Sequence, residues 1–200
     1  MLAHVDKRKA FERYKQHYLS TNGQLYWSDT HQLGFYNDKY NEHLESALPD
    51  YPKGSLMITE AYVPRENLRE FMKNVANDSR KYGVNIIYGT VRLIEKDEES
   101  FLTWAKEDYA CVIFNLRVEH SKEGLKKSRE DFKRIIDRAL ELNGSYYLTY
   151  HRWARKDQIL NSYPQFAEFL KLKLKYDSEE RFQSAWYRHY KRMFAYEIAN

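Results

Sequence analysis

The sequence predicts an α+β fold, and three observations lead there. Segments 55–63, 84–94 and 109–118 read as strands, rich in β-branched and aromatic residues. Two stretches with apolar residues at helical spacing follow the first and third of them. A fourth strand at 145–151 completes the order strand, helix, strand, strand, helix, strand, the split βαβ of ferredoxin-like domains, with both helices on one face of an antiparallel sheet. Helical extensions are expected before and after it.

Taken in order, residues 6–19 place Ala10, Phe11, Tyr14, His17 and Tyr18 at helical spacing, and Asn22-Gly23 stops the pattern. Segment 24–52 is aromatic and irregular, with a short helix expected at 38–48 and a close at Pro49, Pro52 and Gly54. After the first strand, Pro64 suits the opening turn of a helix because its missing N–H needs no partner there. Leu68, Phe71, Met72, Val75 and Ala76 then share one face as far as Gly83. Asp97-Glu98-Glu99 reads as a solvated loop. A long helix starts near Ser121, with Glu123 at its positive end and Leu125, Phe132, Ile135, Ile136, Ala139 and Leu142 along one side, and Gly144 ends it. Tail helices are expected at 157–160, 165–175 and 179–196. The chain divides into an arm (1–53), a sheet domain (54–152) and a helical segment (153–200).

Composition bounds the function. A net charge of +4 with acids and bases interspersed gives no pull toward nucleic acid or a membrane surface. Cys111 is the sole cysteine, so no intrachain disulfide forms; it is expected as a buried thiol in a reducing, cytoplasmic compartment. No apolar run approaches the roughly 20 residues of a membrane span. His4, His17, His31 and His43 lack HExxH or CxxC context, and there is neither a Gly-rich phosphate loop nor a GxSxG elbow, so no metal site and no self-contained nucleotide enzyme is expected.

Strand alternation divides the sheet into two faces. Ile87, Gly89, Val91 and Leu93, with Ala110, Val112, Phe114, Leu116 and Val118, are expected beneath the helices. The opposite set contains Glu60 and Tyr62, then Tyr88, Thr90 and Arg92, then Asn115 and Arg117, and then Tyr147, Thr149 and His151. A solvated sheet surface carries mostly Lys, Glu and Thr. Tyr, Arg, Asn and His instead hold planar or hydroxylated ligands by stacking and directed hydrogen bonds, so this face is the candidate substrate-binding surface.

Four motifs resemble the C-terminal half of FAD-linked oxidases of the vanillyl-alcohol oxidase and p-cresol methylhydroxylase superfamily, which includes aldonolactone and alditol oxidases, and the similarity covers nearly the whole chain. They are Thr59-Glu60-Ala61-Tyr62-Val63-Pro64-Arg65-Glu66, Gly89-Thr90-Val91-Arg92, Tyr150-His151-Arg152-Trp153, and the segment from Tyr176 to Ser184. The resemblance implies that a separate N-terminal domain anchors FAD and that this chain lays its open sheet face over flavin and a small-molecule substrate. It is thus part of an FAD-dependent oxidoreductase acting on an alcohol or hydroxy compound, inactive in isolation. It further implies catalytic roles for Arg92 and His151, and cofactor contacts for Trp153 and Ser184. Thr90 departs from the carboxylate of alditol-type relatives, and Ser178 and Ser184 replace the usual Pro and Asn.

Two other readings exist. An RNA-recognition module is suggested by Tyr109-Ala110-Cys111-Val112-Ile113-Phe114, but Glu107-Asp108 would repel phosphate, and Leu56-Met57-Ile58 lacks a stacking aromatic. The other is a ligand-binding or dimerising ferredoxin-like module without catalysis, its open face pairing with a second copy.

Overall fold

Alternating apolar side chains make residues Gly54–Pro64 a strand, β1, whose Ala61 and Val63 face one way and whose Glu60 and Tyr62 face the other. The computed structural model describes residues 15–27, 46 and 48–199. Pro64 has no N–H for a ladder, so the chain turns through a 3-10 segment, Arg65–Asn67, into helix α1, Leu68–Tyr82. Gly83, in the left-handed conformation at φ 59°, ends that helix. Strands β2, Ile86–Ile94, and β3, Tyr109–Glu119, follow. Helix α2, Lys122–Leu140, begins where the Ser121 hydroxyl accepts from the Gly124 N–H at 2.9 Å. Strand β4, Ser145–Tyr146, closes the sheet.

The sheet is four-stranded and open, in the order β2-β3-β1-β4, with every pairing antiparallel. Phe71 and Val75 of α1 and Phe132, Ile135 and Ala139 of α2 share one core with Ala61, Val63, Ala110, Val112, Phe114, Leu116 and Val118. Both helices therefore cover the same sheet face.

The tail forms helices α3, Lys156–Ser162; α4, Phe166–Tyr176; α5, Ala185–Met193; and α6, Ala195–Ala199. Ile159, Phe166, Leu170, Tyr187, Tyr190 and Phe194 build a second core with Ile136, Tyr146 and Leu148. The single helix expected at 179–196 is instead two shorter ones. Asp177 accepts the N–H groups of Arg181 and Phe182 at 2.8 and 3.0 Å, which holds this stretch as a turn until Ser184 caps α5.

Three strand expectations need correction. Ile87 does not lie beneath the helices: a β-bulge between Ile86 and Tyr88 shifts the register, and Ile87 packs with Leu48, Tyr51, Leu56 and Tyr88 on the opposite face. Val91 and Leu93 belong to the helix face by register but are 47% and 67% exposed, because β2 is an edge strand the helices do not reach. The fourth strand was expected to run to residue 151, yet it is two residues long. Past Tyr146, β4 keeps one further bond, from the Tyr147 N–H to the Glu60 carbonyl at 3.1 Å. On its outer side, side chains replace a neighbouring strand: the Tyr163 hydroxyl donates to the Tyr146 carbonyl, and the Trp186 indole to the Leu148 carbonyl at 2.9 Å.

Residues 15–20 are helical, in line with the end of the expected first helix. The rest of that helix, most of the one expected at 38–48, and His4, His31 and His43 lie outside the described residues. Among the described residues no helix is long and apolar enough to cross a membrane. Cys111 is a free, buried thiol.

Candidate functional site

Register places the open-face residues in rows across the sheet. Arg92, Cys111 and Tyr62 form one row; Thr90, Ile113 and Glu60 the next; then Tyr88, Asn115 and Ile58; and finally Arg117 and Leu56. Tyr147 continues the second row through its bond to Glu60.

Parts of this face are covered by the chain itself. The β2–β3 loop folds back over the first row: the Trp104 ring lies 5.2 Å from that of Tyr62, Ala105 is fully buried, and its carbonyl accepts from the Asp97 N–H at 2.9 Å. At the other end Tyr51 and Leu48 pack on Leu56, Ile87 and Tyr88. Arg117 ties this cover down, lying 4.6 Å above the Tyr51 ring and donating to the Pro52 carbonyl. Between the two covers a window remains around Thr90, Arg92, Ile58, Asn115 and Tyr150.

Glu60 is the chemical centre of that window. It is 8% exposed, accepts from the Tyr62 hydroxyl at 2.7 Å and from the Tyr150 hydroxyl at 3.3 Å, and makes no ion pair among the described residues. Burial, reinforced by the Glu60 charge, raises the pKa of both tyrosines, so each stays a neutral donor. Burial likewise pushes the Cys111 thiol up to about 12, which keeps it protonated and unreactive at neutral pH.

Arg92 is exposed and makes no hydrogen bond or ion pair among the described residues, while its charge reaches Tyr150 and Cys111. Asn115 Oδ1 is buried without a partner among the described residues. An unspent guanidinium and a carboxylate held by neutral donors provide directed contacts for a polar ligand lying flat on Ile58.

The structure gathers Arg92, Glu60, Tyr62, Tyr88, Thr90, Asn115, Arg117 and Tyr147 on this face, with Arg117 spent on the N-terminal cover. Four predicted site residues are elsewhere. Thr149 is exposed beyond the end of β4. His151 is 5% exposed on the helix side, with its ring centroid 4.7 Å from Phe132 and Nε2 3.4 Å from the hydroxyl of Thr59. Its Nδ1 accepts from the Trp153 N–H at 3.3 Å, so the neutral ring carries its proton on Nε2 and donates to Thr59. Burial depresses the His151 pKa to about 4. Trp153 packs edge-on against Phe132 at 5.0 Å, on the same side. Ser184 is the cap of α5, accepting from the Tyr187 N–H at 3.0 Å.

The sequence reading missed Tyr150, Trp104 and Tyr51. Tyr150 takes the place expected for Thr149 and His151, because the alternation ends when β4 leaves the ladder; one residue of slip exchanges the faces. Trp104 lies in a loop with no periodic signal, in a sequence with 4 Trp and 18 Tyr from which to choose.

The architecture and this window define an α+β protein with a polar, partly self-covered sheet face. No protein-family model matches the chain, and no curated protein matches it.

Proposed function

We propose that the chain is the substrate-facing part of an FAD-dependent oxidoreductase that oxidises an alcohol or hydroxy compound, with the cofactor anchored by a separate FAD-binding domain. The strand order β2-β3-β1-β4, with βαββαβ connectivity, supports a ferredoxin-like sheet serving as the cover. The observation that carries the reading is the window in which Arg92, unpaired among the described residues, lies beside the Glu60–Tyr62–Tyr150 cluster. The polar groups fit a substrate held against flavin, since Arg92, unspent among the described residues, and Glu60 offer a donor and an acceptor beside the apolar Ile58. Bound FAD would supply the hydride acceptor. Arg92 would hold negative charge that develops as the C–H bond is broken, and Glu60 would accept a hydrogen bond from the substrate hydroxyl. Tyr150, half on the surface, would orient that hydroxyl by sharing Glu60 with it. His151 and Trp153, which lie behind the sheet, would take no part in the oxidation. The lone buried thiol suits a reducing, cytoplasmic compartment.

In the protein carrying the FAD-binding domain, Arg92→Ala should lower turnover more than tenfold and leave the unfolding midpoint unchanged. Unaltered turnover would remove Arg92 from the site, and a chain that alone purifies with stoichiometric flavin would refute the division of labour. Exposed Val91 and Leu93 on an unpaired edge favour a second reading, a non-catalytic module that dimerises along β2. Sedimentation equilibrium distinguishes it, since that reading requires a dimer that Leu93→Lys dissociates.

A further inference from the structure

On the helix side of the sheet, a cleft of about 460 Å³ opens between α2, the segment 152–155 and α5. Arg129, Lys133, Arg152, Arg155 and His189 line it, with Trp153 and Ala154 as its apolar wall. Among the described residues no acidic side chain lines it. The basic groups are not equally free. Arg155 is committed to Asp137 at 2.7 Å and Asp157 at 2.9 Å, and Lys133 lies 3.0 Å from Glu130. Arg129 makes no hydrogen bond or ion pair among the described residues. Arg152 is fixed from behind by one bond to the Ala185 carbonyl at 3.1 Å, which leaves the rest of its fork unspent and already oriented. His189 lines the same cleft from α5.

We propose that this cleft binds the phosphoryl group of a small molecule, with Arg129 and Arg152 as the charged clamp and the His189 ring beside them. A planar guanidinium fork matches the oxygen spacing of a phosphoryl group, and two forks offset its double charge. A cleft of this size admits a sugar-sized body beyond the phosphate, with Trp153 as the flat surface against which it rests. The cleft is on the sheet face opposite Glu60 and Arg92, so it stands or falls independently of the oxidoreductase reading.

Calorimetric titration of the 200-residue chain with glucose 6-phosphate, inorganic phosphate and glucose tests this, at ionic strength held constant with sodium chloride. The expected result is one site that takes glucose 6-phosphate, with glucose giving no heat; weaker binding of inorganic phosphate assigns part of the affinity to the sugar, and equal binding assigns the site to phosphate alone. Arg129→Gln, an exposed substitution, should weaken binding at least tenfold with the melting temperature in phosphate-free buffer unchanged. Arg129→Gln combined with Arg152→Gln should abolish it, and phosphate should shift the His189 ring resonances of the parent chain. Absence of binding, equal affinity in the Arg129→Gln chain, or binding of several equivalents that sodium chloride suppresses would overturn the proposal.

Discussion

The Tyr62 hydroxyl donates to Glu60 Oε2 at 2.7 Å, from two positions further along the same strand. Residues i and i+2 of a strand share a face, so this pair meets only because both point away from the helices. Tyr62 is 1% exposed, and water does not replace its hydroxyl if that is lost. Tyr62→Phe should therefore destabilise the fold by about 1–3 kcal/mol, the cost of stripping a donor from a nearly buried carboxylate. Urea denaturation of the two chains measures it; equal midpoints would mean that Glu60 is satisfied by other groups.

His151 gives the fold a pH dependence of defined sign. Its folded pKa, about 4, lies below the ordinary histidine value of 6.5, so the unfolded chain takes up a proton first as pH falls. The contribution is intact above pH 6.5 and is lost as pH falls toward 4. Over that window it amounts to something on the order of 3 kcal/mol. Denaturation of the parent chain and of His151→Phe at a series of pH values isolates it: the difference in stability between them should shift in favour of the variant on acidification. A constant difference would show that the ring is not shielded from protons.

Gly144 is required by close approach and not by its backbone angle. A Cβ there would sit 2.0 Å from the Tyr62 carbonyl oxygen and 2.7 Å from that of Ala139, both backbone atoms that move only with their elements. Gly144→Ala should cost about 3 kcal/mol or more, beyond the usual range for overpacking. Thermal melting reports it directly.

Arg138 clamps α2 to α1, with Nε 2.7 Å and Nη2 3.1 Å from the two oxygens of Asp78. The paired guanidinium holds the Asp78 carboxyl below its usual range, so the clamp persists at neutral pH and weakens as acid protonates Asp78. Asp78→Asn should lower stability by about 1–2 kcal/mol at pH 7. The deficit should shrink at low pH, where the parent chain loses the same charge.

Much of the sheet was legible because long strands carry a two-residue period and the two covering helices a clear apolar stripe. Ala110 through Val118 reads correctly to the last residue. What failed were the places where backbone departs from its period: the bulge that turns Ile87 over, and the end of β4 that exchanges Tyr150 for His151. Neither leaves a local trace in composition: the bulge lies in how β2 pairs with β3, and at the end of β4 distant side chains take the outward carbonyls. The candidate site was half legible for the same reason. Glu60, Thr90, Arg92 and Asn115 lie within regular strands, whereas Trp104 and Tyr51 reach the face from irregular segments.

Tyr163 and Trp186 occupy the outward carbonyls of the β4 margin, and these two donors come from the tail. A chain cut near residue 155 would retain the whole sheet yet present bare, unsatisfied main-chain acceptors along one border, ready to recruit strands from neighbouring molecules. The four tail helices thus serve as a guard against polymerisation, and a shortened protein should be recovered as aggregates even though its main core is untouched.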